Sequence, residues 1–395
     1  MLYRRIISAS LCPKGERLYL FFDLILIRSF STKASTLFTS YPLGKLSLRN
    51  RLVVAPMTRV TASVDGIASE RMKAYYEDFA RGGFALVITE GIYIDTAWSQ
   101  TYAYQAGLTS ARQSAAWREI VEAVHGQGGR IFAQIQHAGA LSQGNHFQKG
   151  TVGPSAIRPV GKQMSFYRGE GEYPVPRELD EAEILGIIAS FADAAARAVE
   201  EAGFDGVEIH GANGYLLDQF FTDYTNLRTD RWGGDIAGRL TLSLETIKAV
   251  RARVGQHVPV GIRISQGKVN DFVHKWANGE EDAKTVFTLL ASAGLDYLHL
   301  TEYEAWQPAF AGNPLSLVAL ARKYAPELTI MANGSLHDDA KATEVMNSGA
   351  NFIALGRGAL ANHDWPLRVE QGKPLQPFDS AILGPIADIK ACELP

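Results

Sequence analysis

The sequence predicts an α/β chain closed into a (β/α)8 (TIM) barrel, and three observations carry that prediction. Eight apolar runs of strand length lie at residues 52–55, 85–89, 131–135, 206–209, 260–264, 297–300, 328–331 and 352–355. Each is apolar nearly throughout rather than alternating, as strands covered on both faces are. Amphipathic stretches separate them. Ile184, Ile187, Ile188, Phe191, Ala195 and Ala198 recur at helical spacing, as do Leu240, Leu244, Ile247, Val250 and Val254, after which Gly255 supplies a stop. Finally, Gly83, Gly203, Gly294 and Gly349 each precede a strand by two or three residues. Glycine takes the left-handed conformation that ends a helix and turns the chain into the next strand. A doubly wound open sheet is the alternative, but no GxGxxG follows an early strand.

The other segments are placed around that barrel. Length alone, at 395 residues, would suit two or three domains, yet α/β barrels run long as single units. Residues 36–378 are read as the barrel and 379–395 as a C-terminal tail. Residues 36–51 are expected to cap the barrel bottom with a short hairpin. Residues 151–180, rich in Pro, Gly and Arg, form a long loop after the third strand, and that position predicts a lid over the active face. The first 35 residues carry Arg4, Arg5, Lys14, Arg17, Arg28 and Lys33 against Glu16 and Asp23. Their apolar run, 18–27, is broken by Asp23 and too short to span a bilayer. This extension reads either as disordered or as a mitochondrial leader cleaved near Arg28-Ser29-Phe30-Ser31. The expected location is cytoplasmic, or mitochondrial if the leader is real.

Composition narrows the function. With 39 basic and 42 acidic residues, the net charge of -3 gives no reason to expect nucleic acid, and no membrane partner is expected. Cys12 and Cys392 form no CxxC or metal-ligand spacing, and the histidines form no HExxH. A homo-oligomer is left open.

In a parallel barrel the active site lies where the strands end. The first strand is followed by Pro56-Met57-Thr58-Arg59 and the second by Thr89-Glu90-Gly91. The third carries Gln134 and then Gln136-His137-Ala138-Gly139. The fourth ends in Glu208-Ile209-His210-Gly211-Ala212-Asn213-Gly214-Tyr215. Asn333-Gly334-Ser335 follows the seventh and Gly356-Arg357-Gly358 the eighth. Loops seven and eight often bind phosphate, because glycine admits backbone N–H groups to an anion and Arg357 offers a charged fork. Ser335 with Asp338 reads as the N-cap of the next helix. The competing reading makes Gly334 and Gly356 simple turns and Arg357 a surface ion pair. Arg263 stands inside the apolar fifth strand, where a charge needs either a ligand or an internal salt bridge. His210, Asn213 and Tyr215 at one strand end could bind a carbonyl oxygen and deliver a proton, although a core His or a buried Tyr explains either one singly.

With these residues in place, the sequence resembles the old yellow enzyme family of FMN-dependent ene-reductases over about residues 36–374. The likeness rests on the stretch from Asn50 to Arg59, on Ile88-Thr89-Glu90-Gly91, and on the run from His210 to Phe220. It continues in Asn226-Leu227-Arg228-Thr229-Asp230-Arg231-Trp232-Gly233-Gly234 and in Leu355-Gly356-Arg357 followed by Ala361-Asn362-His363-Asp364-Trp365-Pro366. The resemblance implies that Pro56, Met57 and Gly91 line FMN through the backbone and that Gln134 bonds its pyrimidine edge. It implies Arg263 near N1 and the C2 carbonyl, Thr58 at the C4 carbonyl, and Gly334, Gly356 and Arg357 at the phosphate. His210 and Asn213 would hold the carbonyl or nitro oxygen of an electrophilic alkene, and Tyr215 would protonate its alpha carbon. NAD(P)H would reduce the flavin at N5 and leave, and the alkene would then take the same pocket.

Asn213 and Thr58 look like one branch of the family, whereas Gln136-His137-Ala138-Gly139 looks like a branch with Cys at the position of Thr58. Trp232, Trp276, Trp306 and Trp365 are candidate pocket residues, with buried packing as the alternative. Arg228 and Asp230 are read as shaping the loop after the fourth strand. Two other functions compete. A dienoyl-CoA reductase-like relative would add an iron–sulfur cluster and a second dinucleotide domain, against which stand the missing cysteine cluster and the early end of the chain. A catalytically inactive flavin-binding barrel is opposed by the intact His210, Asn213 and Tyr215.

Overall fold

Strands β1 (Leu52–Val54), β2 (Leu86–Tyr93), β3 (Arg130–Gln136), β4 (Gly206–Asn213), β5 (Val260–Lys268), β6 (Tyr297–Thr301), β7 (Thr329–Asn333) and β8 (Phe352–Leu355) pair in parallel around a closed barrel, β8 returning to β1. The computed structural model describes residues 36–395; the leader expectation falls on residues 1–35 and lies outside the described residues. All eight predicted runs are barrel strands. Six of them continue beyond the apolar run, and in doing so carry Glu90, Gln136, His210, Ser265, Thr301 and Asn333 within the strands. The pairing slips between Ile88 and Gly91 on β2 and between Gly211 and Asn213 on β4. Such bulges re-aim side chains next to active sites, and here they sit at the mouth.

Helix placement follows from the same sequence patterns. Asp180 accepts from the Glu183 backbone N–H at 2.8 Å while Glu183 accepts from that of Asp180 at 3.1 Å, a capping box that opens the helix Glu181–Ala196. The helix buries Ile184, Ile187, Ile188 and Phe191. Gly83, Gly203, Gly294 and Gly349 all have positive φ, as their role before a strand requires.

Inside the barrel, Val53, Leu86, Ile88, Phe132, Tyr297, Met331 and Phe352 pack as one cluster. Gly206 and Gly261 leave room for two of these rings: a Cβ would lie 2.7 Å from Phe132 and 2.3 Å from Tyr297. The expected hairpin, Tyr41–Leu43 against Leu46–Leu48, closes the bottom by adding Leu43 and Leu48 to that cluster. Trp232, Trp276 and Trp365 are buried and Trp306 packs against the outer core; none lines the mouth cavity. Among the described residues no helix is long and apolar enough to cross a membrane.

Two segments fold over the mouth. In the loop 151–180, Tyr167 donates its hydroxyl to the Thr58 carbonyl at 2.8 Å, and Met164, Phe166 and Tyr167 line the mouth cavity. Arg228, paired with Asp230, donates to the Pro154 and Leu179 carbonyls and ties down the base of this lid. Residues 379–395 pack against the rim. Arg59 is buried and forks onto Glu393 at 2.5 and 2.6 Å, while also reaching the carbonyls of Ala387 and Asp388. The Ala387 N–H in turn donates to the Phe166 carbonyl of the lid at 2.8 Å. The loop after β1, the lid and the C-terminal segment are therefore cross-linked beside the mouth.

Removing one partner of a buried ion pair leaves the other charge without compensation. Glu393→Ala is expected to destabilise the protein by about 3–5 kcal/mol in urea unfolding. A loss under about 1 kcal/mol would show that Arg59 does not depend on this carboxylate.

Candidate active site

The strand ends surround a cavity of about 360 Å³. Pro56, Met57 and Thr58 form one wall. Gln134, His210, Asn213 and Arg263 project from β3, β4 and β5, Tyr215 from the turn after β4, while Gly356 and Arg357 close the ring after β8. A second cavity of about 230 Å³ shares Asn333, Gly356 and Arg357 with the first and continues along Gly334 and Ser335. The structure thus brings ten of the twelve predicted site residues to one cavity and Gly334 to the adjoining one.

Gly91 lines neither. A Cβ there would sit 1.8 Å from Gln136 Oε1, so glycine is required by packing against β3. Its carbonyl accepts from Gln105 Nε2 at 2.6 Å. Gly334 has φ +144°, and its missing Cβ would fall 2.3 Å from the Glu302 carbonyl oxygen. The predicted cap pairing of Ser335 with Asp338 is corrected. Asp338 alone caps the helix Asp339–Asn347, through the Lys341 N–H at 3.0 Å. Ser335, at φ +54°, donates its hydroxyl to the Tyr303 carbonyl instead.

Arg263 is buried at the cavity floor. Its Nη2 donates to Asn333 Oδ1 at 2.8 Å and to Thr301 Oγ1 at 3.1 Å, and its Nε has no partner. Burial pushes its pKa down to about 10, against the pull of Glu208, so it stays charged near neutrality. No carboxylate touches it. Glu208 is occupied by Gln134 Nε2 at 2.8 Å, His299 Nδ1 at 2.8 Å and the Tyr297 hydroxyl at 3.1 Å. The internal salt bridge that sequence reasoning weighed for Arg263 is not formed as a contact. Arg357 likewise has no ion pair among the described residues; its guanidinium lies 6.0 Å from the Phe378 ring.

His210 is buried with Nδ1 unpartnered. Burial, then the charges of Arg263 and His299, hold its pKa well below the usual imidazole range, so it is neutral at physiological pH. Asn213 has φ +64°, a conformation asparagine tolerates better than most residues. Its backbone N–H donates to Ser265 Oγ at 2.9 Å. Tyr215 follows Gly214 and precedes the short helix Leu216–Phe221. Asp218 folds back to accept from the Gly214 N–H at 2.6 Å and is paired with buried Lys268 at 2.9 Å. Gln219 Nε2 donates to the Gly214 carbonyl at 2.7 Å. These side chains lock the turn that aims Tyr215. Its ring lies 5.0 Å from that of His210.

Sequence reasoning missed several members of the site. Tyr102 faces Tyr215, the two hydroxyl oxygens 2.6 Å apart. Asn333 and Thr301 hold Arg263. Phe378 and Leu383 bring the C-terminal segment to the cavity wall. Glu90, at the β2 bulge, accepts from the Arg59 N–H at 3.3 Å, and burial raises its pKa to about 8. Glu90, Thr301 and Asn333, each at or just past the end of an apolar run, offered a signal that could have been read.

Residues 36–376 match the NADH:flavin oxidoreductase / NADH oxidase family. The NADH oxidase of Thermoanaerobacter brockii is 34% identical over 350 residues, 87% of this chain, although the chain spans only 52% of that protein's length. Chanoclavine-I aldehyde reductase of Penicillium roqueforti is 35% identical over 352 residues, covering 87% of this chain and 92% of that protein. Among solved structures, the old yellow enzyme homologue of Zymomonas mobilis superposes with a TM-score of 0.81 at 29% identity, covering 91% of this chain and 98% of that one. Morphinone reductase in complex with tetrahydroNAD gives 0.75 at 33% identity, with 88% and 93% covered. The ring of strand ends, the position of each side chain on it and these likenesses agree: the chain belongs to the NADH:flavin oxidoreductase / NADH oxidase family, that of the old yellow enzymes.

Proposed function

We propose that the protein is an NAD(P)H-dependent FMN oxidoreductase that reduces the C=C bond of α,β-unsaturated carbonyl or nitro compounds, NAD(P)H and alkene using one cavity in turn. The observation that carries this reading is the buried, charged Arg263, which bonds an amide and a hydroxyl but no carboxylate, lining the same cavity as the neutral His210. A buried guanidinium with no carboxylate bonded to it is costly unless an electron-rich or anionic group meets it. An electron-rich ring edge suits a guanidinium, and the adjoining cavity with Gly334, Gly356 and unpaired Arg357 suits a phosphate. FMN presents both groups. Gln134, Arg263, Thr58 and the backbone of Pro56 and Met57 would hold its ring system, and Arg357 its phosphate.

Bound FMN would supply the two-electron carrier, accepting hydride from NAD(P)H and delivering it to the beta carbon of the alkene. The protein's own groups act on the other end of that alkene. His210 and the Asn213 amide would donate to the substrate oxygen and stabilise the negative charge that grows there. Because His210 is neutral, it donates without introducing a second full charge beside Arg263. Tyr215 would give its proton to the alpha carbon. The lid, through Met164, Phe166 and Tyr167, would exclude water from the charged transition state.

Stopped-flow measurement of the two half-reactions tests this assignment. Tyr215→Phe is expected to leave flavin reduction by NAD(P)H intact and to slow reoxidation by cyclohexenone by about 10²-fold or more. Equal losses in both half-reactions would refute the proton-donor role. Arg357→Ala is expected to reduce the flavin retained after dialysis, read from visible absorbance. Unchanged flavin content would remove Arg357 from the phosphate site.

A further inference from the structure

We infer that Tyr102 is a positioning residue for alkene reduction: its hydroxyl holds Tyr215 in place and stabilises the Tyr215 phenolate left when the proton is transferred. The inference rests on the proton-donor reading of Tyr215. The contact with Tyr102, at 2.6 Å, is the one hydrogen bond the Tyr215 hydroxyl makes among the described residues. The two phenols arrive from different elements, Tyr215 from the turn after β4 and Tyr102 from the loop after β2.

Tyr102 is fully buried and firmly held. The N–H groups of Thr101 and Tyr102 both donate to Gln105 Oε1, at 2.7 and 3.4 Å. Gln105 is itself fixed through its Nε2 to the Gly91 carbonyl. The ring of Tyr167, from the lid, lies over Tyr102 with centroids 4.2 Å apart. This clamping leaves the Tyr102 hydroxyl directed at Tyr215.

The chemistry gives that contact a direction. When Tyr215 protonates the alpha carbon, its O–H bond breaks and the enolate electron pair forms the new C–H bond. The O–H bonding pair stays on Tyr215 as a phenolate. The step is redox-neutral, because the hydride has already come from NAD(P)H. A phenolate is costly in a buried site. Burial pushes the Tyr215 pKa up to about 12, while the Tyr102 hydrogen bond and the Arg263 charge pull it down. Burial and the neighbouring Tyr215 push Tyr102 well above the usual phenol range, so Tyr102 keeps its proton when Tyr215 loses one. The other groups around the pair do not compete for the charge. Burial holds the phenols of Tyr167 and Tyr173 protonated, and His210 is neutral. A hydrogen bond to an ionised acceptor is roughly twice as strong as one between neutral groups. The Tyr102 contact therefore strengthens as the transition state is reached, which is the condition for accelerating a step rather than merely binding.

Tyr102→Phe removes one oxygen and keeps the ring beneath Tyr167. In the flavin-loaded full chain, flavin reduction by NAD(P)H and reoxidation by ferricyanide, which needs no proton at carbon, are expected to be unchanged. Reoxidation by cyclohexenone is expected to slow roughly ten- to a hundredfold. A second measurement does not depend on turnover. With 2,3,5-trifluorotyrosine incorporated at position 215, the phenolate absorbance is titrated with and without Tyr102→Phe. The midpoint is expected to rise by about one to two pH units in the variant. An unmoved midpoint with an unmoved enone rate overturns the inference. So does an equal loss in all three reactions, which would assign the oxygen to general packing. Should Tyr215→Phe leave enone reduction at its full rate, the proton-donor reading falls, and this inference with it, whatever the titration shows.

Discussion

A permanent charge inside a barrel of apolar strands is the constraint on which the rest of this site depends. Arg263 stands on β5 with its guanidinium at the cavity floor, held by an amide and a hydroxyl rather than by a carboxylate. Had Glu208 bound it directly, the charge would be compensated within the barrel rather than presented to the mouth. Gln134, Tyr297 and His299 occupy that carboxylate instead. Glu208 therefore acts on Arg263 through space, keeping it protonated without covering it. The same charge helps keep His210 neutral and lowers the cost of ionising Tyr215. Burial and this one cation together set the protonation states of the side chains around the cavity.

Geometry at the mouth is supplied by rigid elements and enforced by the segments above them. The strands carry Gln134, His210 and Arg263 at fixed heights, and the bulges on β2 and β4 turn the chain just where the site begins. Asp218 and Gln219 lock the Gly214-Tyr215 turn, so Tyr215 sits on a braced corner rather than a free loop. Across the cavity, the Arg59–Glu393 pair, the Ala387–Phe166 bond and the Tyr167–Thr58 bond tie three segments together.

The barrel was legible because buried parallel strands and amphipathic helices leave unmistakable patterns, and all eight strands lay where the apolar runs placed them. The hairpin cap and the lid were legible from position. Ten predicted site residues share one cavity because strand-end location follows directly from strand location. Other features do not follow from local pattern. The apolar signal stops at Thr89 and Ile209 although the ladder continues, because the residues that follow are polar for the sake of the site. Glycine at 91 and 334 is also required by neighbours that a sequence does not reveal, Gln136 and the Glu302 carbonyl. Tyr102 and Tyr215 meet across 113 residues of sequence, and Arg59 and Glu393 across 334. Such pairings depend on three-dimensional closure that no window of sequence contains. The segment 379–395 looked like a tail because its buried anchors, Ala387 and Ile389, are few and not periodic.

The midpoint potential of the bound flavin, compared between the wild type and Arg263→Gln, tests the central claim most directly. If the buried guanidinium stabilises the negative charge of the reduced cofactor, the variant's two-electron potential falls by roughly 30 mV or more, equivalent to about 1.4 kcal/mol. A potential identical in the two proteins, with the flavin still bound, would mean that Arg263 does not face the cofactor and that its charge serves the barrel alone.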